Sequence, residues 1–157
     1  SDLAVSFTVT TSDDTLARIT EPGATPPSLR FNAMEKLASA GIYTGVTMMP
    51  ILPFINDRPE NITDIMRMAA SSGASYVLPM FGVTLREGSR DFFYCALDKH
   101  FPGIKGRYEQ TFANRYECFS PRYADLRDAF LQGASRYGLS GSMRFYEPPP
   151  PAQLSMF

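Results

Sequence analysis

Leu3-Ala4-Val5-Ser6-Phe7-Thr8-Val9-Thr10 alternates apolar and small or hydroxyl-bearing side chains. A period of two is that of a β-strand, whose successive side chains point to opposite faces, here one apolar and one lined mostly by hydroxyls. After a polar loop, Thr25 is placed to cap a helix whose first turn tolerates Pro26 and Pro27, with Leu29, Ala33, Leu37 and Ala40 on one face. Gly41 ends that helix. Tyr43 to Met49 reads as a second strand, followed by the rigid Pro50-Ile51-Leu52-Pro53 and the turn-prone Asn56-Asp57. Asn61 is placed to cap the next helix, which carries Ile62, Ile65, Met66 and Ala69 inward and stops at Gly73. Tyr76 to Met80 is the third strand. The order β-α-β-α-β predicts an α/β fold with a parallel sheet, because parallel neighbours need crossover connections.

Ser89 to Phe101 is expected to be helical through Phe92, Phe93, Ala96 and Leu97. Beyond Phe101-Pro102-Gly103 the pattern becomes a charged and aromatic connector, and Ser120-Pro121 opens a last helix through Leu126, Phe130 and Ala134. Residues 1–103 therefore read as the α/β part, 104–147 as a helical extension and 148–157 as a proline-rich tail. Three parallel strands cannot close a barrel, and an edge of unpaired backbone groups would remain where preceding strands should lie. The expectation is of an N-terminal part of the same sheet outside this chain, with dimerisation through the exposed edge as the outcome in its absence. The chain starts at Ser1-Asp2 without an initiator methionine, as a piece of a longer protein would.

With 157 residues, 44% hydrophobic and 20% charged, and a net charge of −1, the composition is that of a globular domain with no electrostatic bias towards nucleic acid. No apolar run approaches the roughly 20 residues of a membrane-spanning helix, so no membrane partner is expected and a cytoplasmic location is. Cys95 and Cys118 have none of the short spacings used by zinc or cluster sites, and no metal site is expected from them. Asn61-Ile62-Thr63 matches a glycosylation acceptor but is better explained as a helix cap.

Three features could carry chemistry. Ser6, Thr8, Thr10 and Thr11 form a hydroxyl ladder at the carboxyl end of the first strand, where parallel α/β sheets place ligands; hydroxyls suit a ribose or an amino-acid carboxylate, and they equally suit an edge strand facing water. Arg30, preceded by Glu21-Pro22-Gly23, could grip a carboxylate in a two-pronged way or lie on a helix surface. Pro50 to Pro53 could offer carbonyls and a flat apolar surface to a planar ring, or act as a rigid turn. Other constellations are weaker. His100, the only histidine, lies beside Lys99 near a helix end, and no glycine-rich phosphate loop follows a strand. Asp13-Asp14 sits where capping explains it. Arg107, Arg115, Arg122, Arg127 and Arg136 interleave with tyrosines in a way that could bind a nucleic-acid backbone, but Glu109, Glu117, Asp125 and Asp128 are interspersed.

Taken together, Ser6-Phe7-Thr8-Val9-Thr10-Thr11, Glu21-Pro22-Gly23-Ala24-Thr25, Arg30, Gly41 and Pro50-Ile51-Leu52-Pro53 with Asn56-Asp57 resemble the later half of radical S-adenosylmethionine proteins related to spore photoproduct lyase, the DNA-repair-photolyase-like group. The resemblance spans Ser6 to Gly103 and is looser beyond. It implies strands four to six of a partial (β/α) TIM-type barrel that holds a [4Fe-4S] cluster and S-adenosylmethionine. It further implies cofactor contacts at Thr8, Thr10, Arg30 and Pro50, and leaves nucleic acid open as the substrate of a lyase. The family's three-cysteine cluster motif is not in this chain, so the piece alone is expected to hold no cluster and to be inactive. From a different class, a non-catalytic α/β interaction module with an arginine- and tyrosine-rich partner-binding C-terminal part fits the same residues.

Overall fold

The computed structural model describes residues 3–145; the expected proline-rich tail at 148–157 lies outside the described residues. Strand β1 (Ala4–Thr8), helices α1 (Asp14–Thr20) and α2 (Pro27–Ser39), strand β2 (Tyr43–Met48), helix α3 (Pro59–Ser71) and strand β3 (Tyr76–Pro79) form a β1-β2-β3 sheet that is parallel throughout. The mixed α/β fold and its three parallel strands are as expected from the sequence.

Register decides which residues share a face. Ser6 pairs with Gly45 and Gly45 with Tyr76, while Thr8 pairs with Thr47 and Thr47 with Leu78. The intervening Phe7, Val46 and Val77 therefore point the other way, into a core shared with Phe31 and Met34 of α2 and Ile62, Ile65 and Met66 of α3. The helices thus cover one face of the sheet. On the opposite face Ser6 and Thr8 are exposed, and the fully buried Tyr76 lies across Gly45 to reach the Ser6 hydroxyl at 2.7 Å.

After β3 the chain departs from the expected connector. Strands β4 (Gly82–Thr84) and β5 (Glu117–Phe119) pair antiparallel and, with helices α4 (Ser89–His100) and α5 (Ile104–Phe112), close on a second small core of Leu85, Tyr94, Leu97, Tyr108, Phe112 and Cys118. The expected division after Gly103 runs through this unit, since α4 and α5 share its core. Helix α6 (Tyr123–Tyr137) instead joins the main core, packing Leu126 and Phe130 beside α3, and its C-terminal continuation places Ser140 in a parallel bridge with Tyr76. The Val77 amide donates to the Ser140 carbonyl at 2.9 Å and the Ser140 amide to that of Ser75 at 3.0 Å. The strand-helix alternation therefore continues past β3, with residues 82–119 inserted between strand and helix.

Four local expectations are corrected. The polar loop after β1 holds α1, because the Asp13 carboxylate accepts from the amides of Thr15 and Leu16 and satisfies the helix start. Thr25 caps nothing: Pro26 precedes α2 without a side-chain cap. The inward face of α2 is carried by Phe31 and Met34, and Leu29 is 53% exposed, since the bulkier residues one turn apart fill the space over the sheet. Asn61 does not cap α3, which starts at Pro59; it lies in the first turn and is buried.

Candidate functional site

At the carboxyl end of β1 the backbone of residues 8–12 is held from several sides. The Arg30 guanidinium of α2 donates to the Thr8 carbonyl at 2.6 Å and pairs with Glu21 at 2.5 Å. The other Glu21 oxygen accepts from the Thr10 hydroxyl at 2.7 Å. The Thr10 carbonyl accepts from the side-chain amides of both Asn56, at 2.8 Å, and Asn61, at 3.1 Å. Asn61 also accepts from the Ser12 amide at 3.0 Å, and Asn56 from the Leu52 amide. Buried backbone groups need such partners wherever no ladder supplies them, which is why polar side chains gather where the strand ends.

Local sequence puts each anchor in place. Asp14 of α1 accepts from both the amide and the hydroxyl of Ser28 at the start of α2, which ties the two helices together around Glu21; those bonds hold the Asp14 carboxyl below the usual range. The prolines of the segment after β2 bend it so that Asn56 reaches β1, and the Ile51 amide donates to the Met80 carbonyl at the end of β3. The peptide between Met49 and Pro50 is cis.

A groove of about 450 Å³ opens along β1, lined by Ser6, Thr8, Glu21, Thr25, Leu29 and Arg30. Of the four residues expected to touch a cofactor, Thr8 and Arg30 meet here. The Thr8 hydroxyl bonds to that of Thr47 at 2.9 Å and is otherwise open. Thr10 is buried behind the groove with its hydroxyl on Glu21, and Pro50, half-buried, does not line it. Thr11 is buried too, accepting from the Asp13 amide, so the hydroxyl ladder divides into an exposed pair, Ser6 and Thr8, and an inward pair. Arg30 already grips a carboxylate from its own chain. Sequence reasoning did not assign Glu21, Asn56 or Asn61 to this site; an asparagine pair shortly after a proline-rich bend that follows a strand was the available signal.

Asp57 is a separate buried carboxylate, 3% exposed, whose oxygen accepts from Ser120 at 2.5 Å and so links the segment after β2 to the start of α6. Burial pushes its pKa up, against the opposing Ser120 hydroxyl, nearby amides and the Arg122 charge. A carboxyl whose folded pKa lies above its unfolded one favours folding most when protonated, and that contribution is lost as pH rises from the unfolded value through the folded one. Asp57→Asn is therefore expected to be at least as stable as the parent at pH 8 in urea denaturation, with its relative advantage shrinking towards pH 4. A variant uniformly less stable, with the gap widest at pH 8, would contradict this.

Among the described residues no group of three or more histidine, cysteine or acidic side chains is placed to hold a metal, and no helix is long and apolar enough to cross a membrane. Cys118 is buried, Cys95 is exposed, and His100 sits exposed at the end of α4.

No protein-family model matches the chain, and no solved structure matches it. It is similar to an uncharacterized protein of Mycobacterium tuberculosis, 29% identical over 150 residues, covering 95% of this chain and 43% of the relative. A Mycobacterium bovis protein shows the same figures. An uncharacterized protein of Acidianus two-tailed virus is 31% identical over 119 residues, covering 69% of this chain and 38% of the relative. The chain thus aligns along nearly its whole length with the mycobacterial proteins and spans less than half of theirs.

Proposed function

We propose that the chain is the later half of a radical S-adenosylmethionine enzyme, supplying strands four to six of a partial (β/α) barrel. One observation carries the reading: Thr8, Thr10, Glu21, Arg30 and Asn56, spread over 49 positions of the resemblance, converge on the carboxyl end of one parallel strand. That is the end at which parallel α/β sheets hold ligands. Sequential strand order with helices on one face and hydroxyls on the other is also what a barrel segment requires, the hydroxyl face lining the hollow.

The residues fit the cofactor in part. Thr8 and Ser6, exposed on the helix-free face, suit the hydroxyls of a ribose. Arg30 does not suit the grip on a ligand carboxylate, because Glu21 occupies it. Its role in this reading is to fix the Thr8 carbonyl, and with it the direction of the Thr8 side chain. Cys95 and Cys118, 23 positions apart in helix and strand, do not fit a cluster site, so the cluster belongs to the rest of a longer protein. When bound, a reduced [4Fe-4S] cluster supplies the electron that cleaves S-adenosylmethionine to a hydrogen-abstracting radical.

The longer protein carrying this chain, reconstituted anaerobically with iron and sulfide, is expected to show the broad visible absorption of a cluster. Its affinity for S-adenosylmethionine should fall about three- to tenfold in Thr8→Val, the effect of one lost hydrogen bond. No cluster absorption, or equal affinities, would refute the proposal.

A further inference from the structure

On the far side of Glu21 from the hydroxyl groove, a second groove of about 400 Å³ runs between the end of α1 and helix α4. Its walls are apolar: Ile19 and Pro22 on one side, Leu52 and Ile55 from the segment after β2 beneath, and Phe93 and Leu97 on the other. Phe92 stands at its lip with 79% of its surface exposed and Ile19 with 38%, large side chains that a free surface does not favour. The volume falls within the range of small-molecule sites.

The polar groups are one-sided. Among the described residues Lys99 and His100 line the groove, and no carboxylate does. Glu21, between the lining residues Thr20 and Pro22, turns its carboxylate away to Arg30 and Thr10, and Asp98 is paired with Lys105. The Lys99 ammonium is a full positive charge against about half a negative charge from the carbonyl end of α4. We infer that this groove binds a small organic anion with an apolar body, a medium-chain carboxylate being the simplest member, its chain lying on Leu52 and Ile55 and its head at Lys99.

Cys95 is exposed and lines the groove while Cys118 is buried, which gives a local reporter. Decanoate below its micelle-forming concentration is expected to slow alkylation of Cys95 by iodoacetamide at least fivefold and saturably, and decanol, of the same length without charge, to protect less. Lys99→Gln should erase the difference between the two. Ala96→Trp, which fills the groove, should abolish protection by both, with its far-ultraviolet circular dichroism unchanged. Equal protection by decanoate and decanol in the parent, no protection at all, or a Lys99→Gln variant that still prefers decanoate would overturn the inference, as would a groove already closed by a dimer that decanoate does not dissociate. The alkylation needs neither cluster nor S-adenosylmethionine, so it can fail or succeed apart from the radical-enzyme reading.

Discussion

Asn61→Ala is expected to lower the melting temperature by about 5 to 10 °C, corresponding to about 2–3 kcal/mol in a domain of this size. Asn61 is 8% exposed and its side chain makes three bonds at once: it donates to the carbonyls of Thr10 and Asn56 and accepts from the Ser12 amide. The two carbonyls keep other donors, Asn56 on the first and the Arg58 amide on the second. The half-buried Ser12 amide has no other acceptor, and a donor left without its partner costs more than the bond it loses to the extent that water cannot replace it. Asn61→Asp separates this account from simple loss of side-chain volume. It keeps the acceptor for Ser12 but turns a carboxylate towards two carbonyl oxygens, and should cost more than alanine at neutral pH. Thermal melts by circular dichroism decide it; a melting point within 1 °C of the parent for both variants would mean that the segment at the end of β1 is not held by this residue.

Gly45→Ala is expected to be as damaging, at about 3 kcal/mol, the upper part of the range for overpacking a filled site. A Cβ at position 45 would lie 2.3 Å from Cε2 of Tyr76, so the ring would have to move. It has nowhere to go without loss: it is fully buried, its hydroxyl is bonded to Ser6, and its ring is 5.0 Å from that of Tyr43, over which Arg144 is stacked at 4.7 Å. Removing the ring removes the clash, so Gly45→Ala in a Tyr76→Ala background should cost far less than in the parent, giving a coupling of about 2 kcal/mol in a double-mutant cycle. Additive effects of the two substitutions would show that Tyr76 does not cross Gly45.

Of the three parallel strands, β1 was legible from its period of two, and β2 and β3 from strong punctuation before each, Gly41 and Gly73, both with positive φ. The three-residue strands β4 and β5 were not, because three residues carry no measurable period and their pairing joins positions more than thirty apart. Helix α5 was hidden for a different reason: its inward residues, Tyr108 and Phe112, sit among charged neighbours and pack against a second core whose existence depends on β4 and β5. At the candidate site, residue types pointed to Thr8 and Arg30. Their partners could not be read, since the tie of Arg30 to Glu21 and of Thr10 to Asn56 depends on how the chain bends at its prolines.

The unit formed by residues 82–119 enters and leaves the scaffold at adjacent points, for the Ser120 amide donates to the Phe81 carbonyl at 2.8 Å. A segment whose two ends already touch can lengthen, shorten or be exchanged with little entropic consequence for the framework that carries it. Since α4 forms one wall of the apolar groove while the other wall belongs to α1 and the segment after β2, variation in this piece would reshape the groove and leave the end of β1 as it is. The framework at the end of β1 and the unit of residues 82–119 are thus structurally separable, the two ends of the unit meeting at one point.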